Sequence, residues 1–117
     1  MLPPIIYGDG EQTRDFISVN DVINIIHLLL EGKRVLSSSD VLNVGTGKPT
    51  KIKDLAKIMI KIADLDLEPV FAEPKRGDIK DSYADIKKLK ANLGFTTFTE
   101  IQSGLKQILK HDQILNI

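Results

Sequence analysis

Ile6-Tyr7-Gly8-Asp9-Gly10-Glu11-Gln12-Thr13-Arg14-Asp15-Phe16-Ile17-Ser18-Val19-Asn20-Asp21-Val22 places strand, turn, strand and helix signals one after another. Pro4 to Tyr7 reads as a short strand, closed by the turn Gly8-Asp9-Gly10. Arg14 to Val19 reads as a second extended segment. Asn20 is placed to cap a helix running to about Gly32. Its apolar residues Val22, Ile23, Ile25, Ile26, Leu29 and Leu30 fall on more than one face, which predicts deep burial. The two glycines allow backbone geometries closed to other residues, and an arginine follows on a short strand. Held there, Arg14 could reach a diphosphate through paired hydrogen bonds. The residues alone favour the plainer alternative, a hairpin turn carrying an exposed arginine.

Outward from this stretch the pattern stays mixed. Val41-Leu42-Asn43-Val44 reads as a strand ended by Gly45-Thr46-Gly47. Thr50 then caps an amphipathic helix of about fourteen residues. Its inner stripe is Ile52, Leu55, Ala56, Met59 and Ala63, with Lys53, Lys57 and Lys61 largely outside it. Leu67 to Phe71 reads as a strand and Pro74 to Ser82 as a polar loop. Asp85 can open a short helix carrying Ile86, Leu89 and Leu93, stopped by Gly94. Thr99 and Gln102 spell a capping box for a last helix with Ile101, Leu105, Ile108 and Leu109 inward. About four helices with short strands among them make the class α/β, or an α+β-like fragment of it.

Composition bounds the function. A chain of 117 residues fits one domain with little core to spare. Sixteen basic residues balance sixteen acidic ones, so no general nucleic-acid surface is expected. Thirteen of the basic residues are Lys and three are Arg; Arg14 and Arg76 fall in glycine-containing loop segments. Arginine presents a rigid fork to phosphate where lysine is a flexible point charge. The absence of cysteine rules out disulfides and thiolate metal sites. His27 and His111 have no partners at ligand spacing, so no metal is expected. His27 is expected to pack or lie partly exposed, and Met59 to fill core. The apolar run from Val22 to Leu30 is too short to span a bilayer, and residues 1–4 have no signal-peptide character. The expectation is a soluble, cytoplasmic protein.

Three segments, taken together, carry a family resemblance. The opening stretch resembles the G-D-G-x-Q-x-R-D-F-[IV]-x-V-x-D-V signature of extended short-chain dehydrogenases/reductases, in the NAD-dependent epimerase/dehydratase family. Leu42-Asn43-Val44-Gly45-Thr46-Gly47 is similar to the family's F/Y-N-[LIV]-G-[ST]-G segment. Lys75-Arg76-Gly77-Asp78, followed by Ser82-Tyr83-Ala84-Asp85-Ile86-Lys87-Lys88-Leu89 and Leu93-Gly94-Phe95, resembles its R-x-G-D…D-x-S-K-A-x-x-x-L-G segment. UDP-glucose and UDP-N-acetylglucosamine 4-epimerases are the nearest subgroup. The likeness runs from about Pro3 to Leu109 and implies that residues 1–117 form the C-terminal, nucleotide-sugar-binding domain of such an enzyme. It implies that Ile5, Ile6 and Tyr7 line the uracil and ribose, and that Arg14 and Arg76 grip the diphosphate from two sides. Asp78 would bind a ribose hydroxyl or orient Arg76. Ser82 stands where some members carry an aromatic that touches the ligand. Asn43 and Asp21 would brace a turn and a helix start.

The family's Rossmann half, with its glycine-rich NAD turn and Tyr-x-x-x-Lys pair, precedes this portion in family order. No such glycine run occurs in the chain, so Met1 is expected to mark the start of a truncated gene or an engineered fragment. NAD would then bind only the intact enzyme, and no catalytic residue is assigned here. Tyr83-Ala84-Asp85-Ile86-Lys87 spells Tyr-x-x-x-Lys by accident, past the Arg-Gly-Asp loop. Gly45-Thr46-Gly47-Lys48-Pro49-Thr50 hints at a P-loop, but Leu42 and Pro49 break the motif. Two other readings compete: a non-catalytic interaction or regulatory remnant of the fold, and a part of a related dehydratase, decarboxylase or reductase. Apolar surface left bare by a missing half predicts self-association, a homodimer being the simplest form.

Overall fold

A computed structural model describes residues 2–32 and 40–115, with side chains to His111. The elements in order are β1 (Ile5–Tyr7), β2 (Thr13–Arg14), α1 (Val19–Leu30), β3 (Thr50–Lys51), α2 (Ile52–Ile62), β4 (Val70–Ala72), β5 (Asp81–Ser82), α3 (Lys87–Leu93) and α4 (Ile101–Leu115). The strands form two small sheets. In one, β1 runs parallel to β4 with Ile5 opposite Val70 and Tyr7 opposite Ala72. In the other, β2 lies between β3, antiparallel, and β5, parallel, so that Arg14 faces Thr50 on one side and Ser82 on the other. The class is α/β, as expected.

Short strands bring little hydrophobic area, so the core gathers under the helices. Ile25 of α1 meets Ile86, Leu89 and Leu93, with Leu42, Ala84, Phe95 and Phe98 packed around them. The Ile86, Leu89 and Leu93 spacing puts all three on one face of a helix. Asp85 Oδ1 accepts the Lys87 N–H at its start, and Gly94 closes it in the left-handed conformation at φ 64°. Phe95 and Phe98 stack edge to face, centroids 5.1 Å apart. α2 lies against α4, and Ala56 is its buried residue.

Several local expectations give way. The α1 cap is Ser18, whose hydroxyl accepts the Asn20 N–H; the shorter side chain reaches the second amide of the helix, and Asn20 falls inside it. α1 is not deeply buried: of its apolar residues only Ile25 is, while Val19, Ile23, Ile26 and Leu30 lie open at 50–80% exposure. Residues 41–44 join no sheet, and Val41 and Val44 stand exposed, because no described strand runs beside them. Thr50 belongs to β3, so α2 is eleven residues long and its N-cap position, Lys51, has no side-chain capping bond. Met59 is half exposed rather than core filler, and Ala63 ends α2 on its exposed side. Pro69 has no N–H to give a ladder, and the expected 67–71 strand forms at Val70–Ala72. The polar loop after Pro74 ends in β5. Thr99 does not make the expected box: its N–H and hydroxyl both donate to Asp21, at 2.8 and 2.9 Å.

Candidate functional site

The site is built where β1, the turn after it and the loop after β4 meet. Gly8 and Gly10 take positive φ, which lets the chain double back from β1 to β2. The turn is pinned on both sides. Asp9 Oδ1 accepts the Glu11 N–H, and the Lys53 N–H at the start of α2 donates to the Gly10 carbonyl. A β-carbon on Gly10 would lie 2.7 Å from that of Lys53, so helix and turn touch because nothing projects between them. Glu11 is bracketed by ion pairs to Lys51 and Lys53. Hydrogen bonds from Lys51, then Lys53, hold its carboxyl down to about 2.

From this turn Gln12 reaches back to the Tyr7 carbonyl at 2.8 Å and across to Asp78 at 3.5 Å. Arg14, on β2, donates to Asp78 Oδ1 at 2.6 Å and to the Thr13 carbonyl at 2.7 Å. Asp78 closes a turn on the Lys75 carbonyl, with Gly77 at φ 83°. Ile5, Ile6, Tyr7, Arg14, Arg76 and Asp78, all singled out from sequence, line one depression of about 450 Å³ together with Gln12, Ile52, Lys75 and Gly77. Ile6 forms its buried floor, while Ile5 and Tyr7 are open to solvent. One expected pairing differs: Asp78 holds Arg14, not Arg76, because β2 carries the Arg14 guanidinium across the loop.

Two residues matter that the sequence reading passed over. Asp15, next to Arg14, accepts hydrogen bonds from the Thr46 N–H and hydroxyl, the Gly47 N–H and the Ala84 N–H, at 2.5–3.2 Å. One carboxylate thereby ties together the three segments that carry the family likeness. Burial opposes its ionisation, but those four donors outweigh it and hold its carboxyl below the usual range. Gly45 leaves room for it: a β-carbon there would sit 2.6 Å from Asp15 Oδ2 and from the Ala84 β-carbon. The other residue is Lys75, whose ammonium lies 4.1 Å from the centre of the Tyr7 ring. Laid on Lys75-Arg76-Gly77-Asp78, the R-x-G-D spelling starts at Lys75, with the arginine one place late; that offset was the available signal.

The geometry also weighs the decoys. The Thr46 and Gly47 N–H groups of Gly45-Thr46-Gly47 point at Asp15, so this glycine turn has no free cradle for a phosphate, whether of a P-loop nucleotide or of NAD. This turn therefore does not fit the pyrophosphate of NAD. Tyr83 is exposed, and Lys87 is drawn to Asp85 at 3.9 Å. His27 is mostly exposed, with Nε2 3.1 Å from Glu31. Asn43 reaches the Asp85 carbonyl at 3.4 Å. Among the described residues no group of His, Asp and Glu could hold a metal ion, and no helix is long and apolar enough to cross a membrane.

The fold is α/β, with an arginine-lined depression beside glycine turns, and comparison with known proteins shows the family. A family model described as GDP-mannose 4,6 dehydratase matches residues 2–108. The chain belongs to this family, within the NAD-dependent epimerase/dehydratase branch of the extended short-chain dehydrogenases/reductases. It is 34% identical over 106 residues to a putative UDP-glucose 4-epimerase of Methanocaldococcus jannaschii, covering 91% of this chain and 33% of that one. Its fold is similar to the UDP-glucose 4-epimerase of Thermotoga maritima solved with UDP-glucose, at a TM-score of 0.85 and 31% identity over 98% of this chain and 36% of that one. The UDP-N-acetylglucosamine 4-epimerase of Methanobrevibacter ruminantium, solved with UDP-N-acetylmuramic acid, gives 0.81 and 32% over the same shares. The chain spans about a third of the length of the curated relatives it matches.

Proposed function

We propose that this chain is the nucleotide-sugar-binding portion of an NAD-dependent sugar-nucleotide 4-epimerase, holding the UDP end of the substrate and performing no catalysis by itself. One observation carries the reading: the six residues picked from sequence for a nucleoside diphosphate line a single depression. Ile5, Ile6 and Tyr7 offer an apolar wall for base and ribose. Arg76 and the Asp78-held Arg14 face the diphosphate, and the second Asp78 oxygen, which takes only the long Gln12 bond, can accept from a ribose hydroxyl as well. Binding energy gathered at this end would fix the sugar for reaction elsewhere.

The choice of epimerase over dehydratase follows the three proteins reported above, which carry 4-epimerase names, whereas the family model is described by a dehydratase. The nicotinamide cofactor supplies hydride exchange in such enzymes, and its site is assigned to a Rossmann half outside this chain. That half, or a second copy of the chain, is the partner proposed for the exposed apolar face of α1, and the cytoplasm is the proposed location. The test is a titration of isotopically labelled chain with UDP, followed by NMR, with NAD as control. The expected result is UDP-induced shifts confined to Tyr7, Arg14, Arg76 and their neighbours, with none from NAD. No response at about 10 mM UDP would remove the reading of a self-sufficient binding module, since millimolar affinity already corresponds to about 4 kcal/mol.

A further inference from the structure

We infer that Gln12 is a positioning residue: it fixes the spacing between the apolar wall and the charged side of the proposed nucleotide site. The inference rests on the UDP-binding reading and adds to it a residue that acts through others rather than on the ligand. Gln12 Nε2 donates to the Tyr7 carbonyl at 2.8 Å and, over 3.5 Å, to Asp78 Oδ2. Both neighbours only accept, which sets the orientation of the amide and engages both of its hydrogens. Tyr7 ends β1, the wall offered to base and ribose. Asp78 stands on the loop after β4 and takes the Arg14 guanidinium on its other oxygen at 2.6 Å. Among the described residues, no other side chain is hydrogen-bonded to both parts.

The backbone that carries this side chain is held independently of it. The Gln12 carbonyl accepts the Ile52 N–H at 3.0 Å, the Gly10 carbonyl accepts the Lys53 N–H at 3.1 Å, and the Thr13 N–H donates to the Lys80 carbonyl at 2.8 Å. Gln12 is therefore a strut on a fixed post. The loop it braces has less support of its own. Residues 73–80 are all exposed, and the turn from Lys75 to Asp78 closes on one backbone bond. The Lys75 ammonium over the Tyr7 ring joins the same two parts, but its flexible stem sets no fixed distance. A nucleoside diphosphate spans wall and charged side together. Its second end binds as though tethered only when the two are held at the span that the ligand bridges. Without the strut, the loop must be brought to that span at the moment of binding, which opposes the whole ligand. Uridine needs only the Tyr7 wall. Inorganic pyrophosphate needs only the arginine side, which the Arg14–Asp78 pair holds together without Gln12.

The test separates the whole ligand from its parts. Affinities for UDP, uridine and inorganic pyrophosphate are measured by NMR titration of the 117-residue chain and its Gln12→Ala and Gln12→Met variants. Methionine keeps the length of the side chain and loses both donors. Both variants are expected to weaken UDP about tenfold and to change uridine and pyrophosphate by less than about twofold. Backbone relaxation of the free proteins should show lower order at residues 75–78 in both variants, with β2 and α2 as in the parent. If Gln12→Met binds UDP like the parent, bulk and not hydrogen bonding sets the spacing, and the strut is overturned. If uridine or pyrophosphate weakens as much as UDP, Gln12 meets the ligand itself or only supports the fold. The positioning role is then overturned while the UDP site stands. Unaltered order at residues 75–78 overturns it whatever the ligands do. If the parent binds no UDP, the functional reading falls and the inference with it.

Discussion

Among single residues, Asp15 concentrates more structure than any site candidate. Its carboxylate takes four hydrogen bonds from Thr46, Gly47 and Ala84, joining segments far apart in sequence. Hydrogen bonds to a charged group contribute about 1.5–3 kcal/mol each, and neighbours in one network do not add, so Asp15→Asn should cost about 2–4 kcal/mol, read as a lower urea midpoint. The pH dependence has a definite sign. Its native carboxyl lies below the ordinary aspartate value of 3.8, so the native state binds fewer protons than the unfolded one in acid. The stability it confers is complete above that value and fades as pH falls through the native one. Below about pH 4 the parent should therefore lose stability faster than Asp15→Asn. Glu11 works the same way between 4.5 and about 2, but it sits in solvent with its lysines, and salt should screen its share. The arginines split differently. Arg76→Ala should weaken UDP by about tenfold through a lost charge-assisted bond. Arg14→Ala should cost more, because it also leaves Asp78 as an unpaired anion in the cavity; calorimetric affinities for both variants check the order.

Elements were legible where one segment sufficed to specify them. The Ile86, Leu89, Leu93 and Gly94 pattern fixed α3 and its stop, and Gly8-Asp9-Gly10 fixed the turn that builds the site. The sequence failed where a distant partner decides. Thr99 with Gln102 is a sound local cap, but Asp21, only 4% exposed, takes both Thr99 donors and anchors the start of α4 to α1. Nothing near Thr99 in sequence announces this. Likewise, Val41-Leu42-Asn43-Val44 before a glycine turn reads as a strand, yet a strand needs a neighbour and none of the described ones lies beside it. The depression was legible through its family spelling, whereas the Arg14–Asp78 pairing and Lys75 on Tyr7 required coordinates. Asp21→Ala should strip α4 of its anchor. The expected loss is about 3 kcal/mol, two bonds to a buried charge, with α4 amides exchanging faster than those of α3. Equal protection of both helices in the variant would mean that α2 alone holds α4 in place.

The whole molecule is flat and open. It extends 48 × 40 × 18 Å with a radius of gyration of 17.2 Å, against about 13 Å for a compact chain of this length. It exposes 8817 Å², where a compact 13.0 kDa monomer exposes about 6,300 Å². The difference, about 2,500 Å², exceeds what one partner contributes to a standard interface, about 800 Å². Part of the excess has an address. Val19, Ile23, Ile26 and Leu30 follow one another by four, three and four residues, which places them on a single stripe of α1. At about 100° per residue this stripe lies roughly 130° from Ile25, so packing of the core cannot cover it. Its spacing reads the same in both directions, so two antiparallel copies can match Val19 to Leu30 and Ile23 to Ile26, as a twofold interface requires. At about 100 μM the chain should therefore sediment as a dimer or larger. Replacing Ile23 and Ile26 by Lys should return it to a monomer without lowering its urea midpoint, because both side chains already face water. A parent chain that stays monomeric would show that this stripe does not pair with itself. A monomer reached only with a lower midpoint would instead place Ile23 and Ile26 in the fold's own packing.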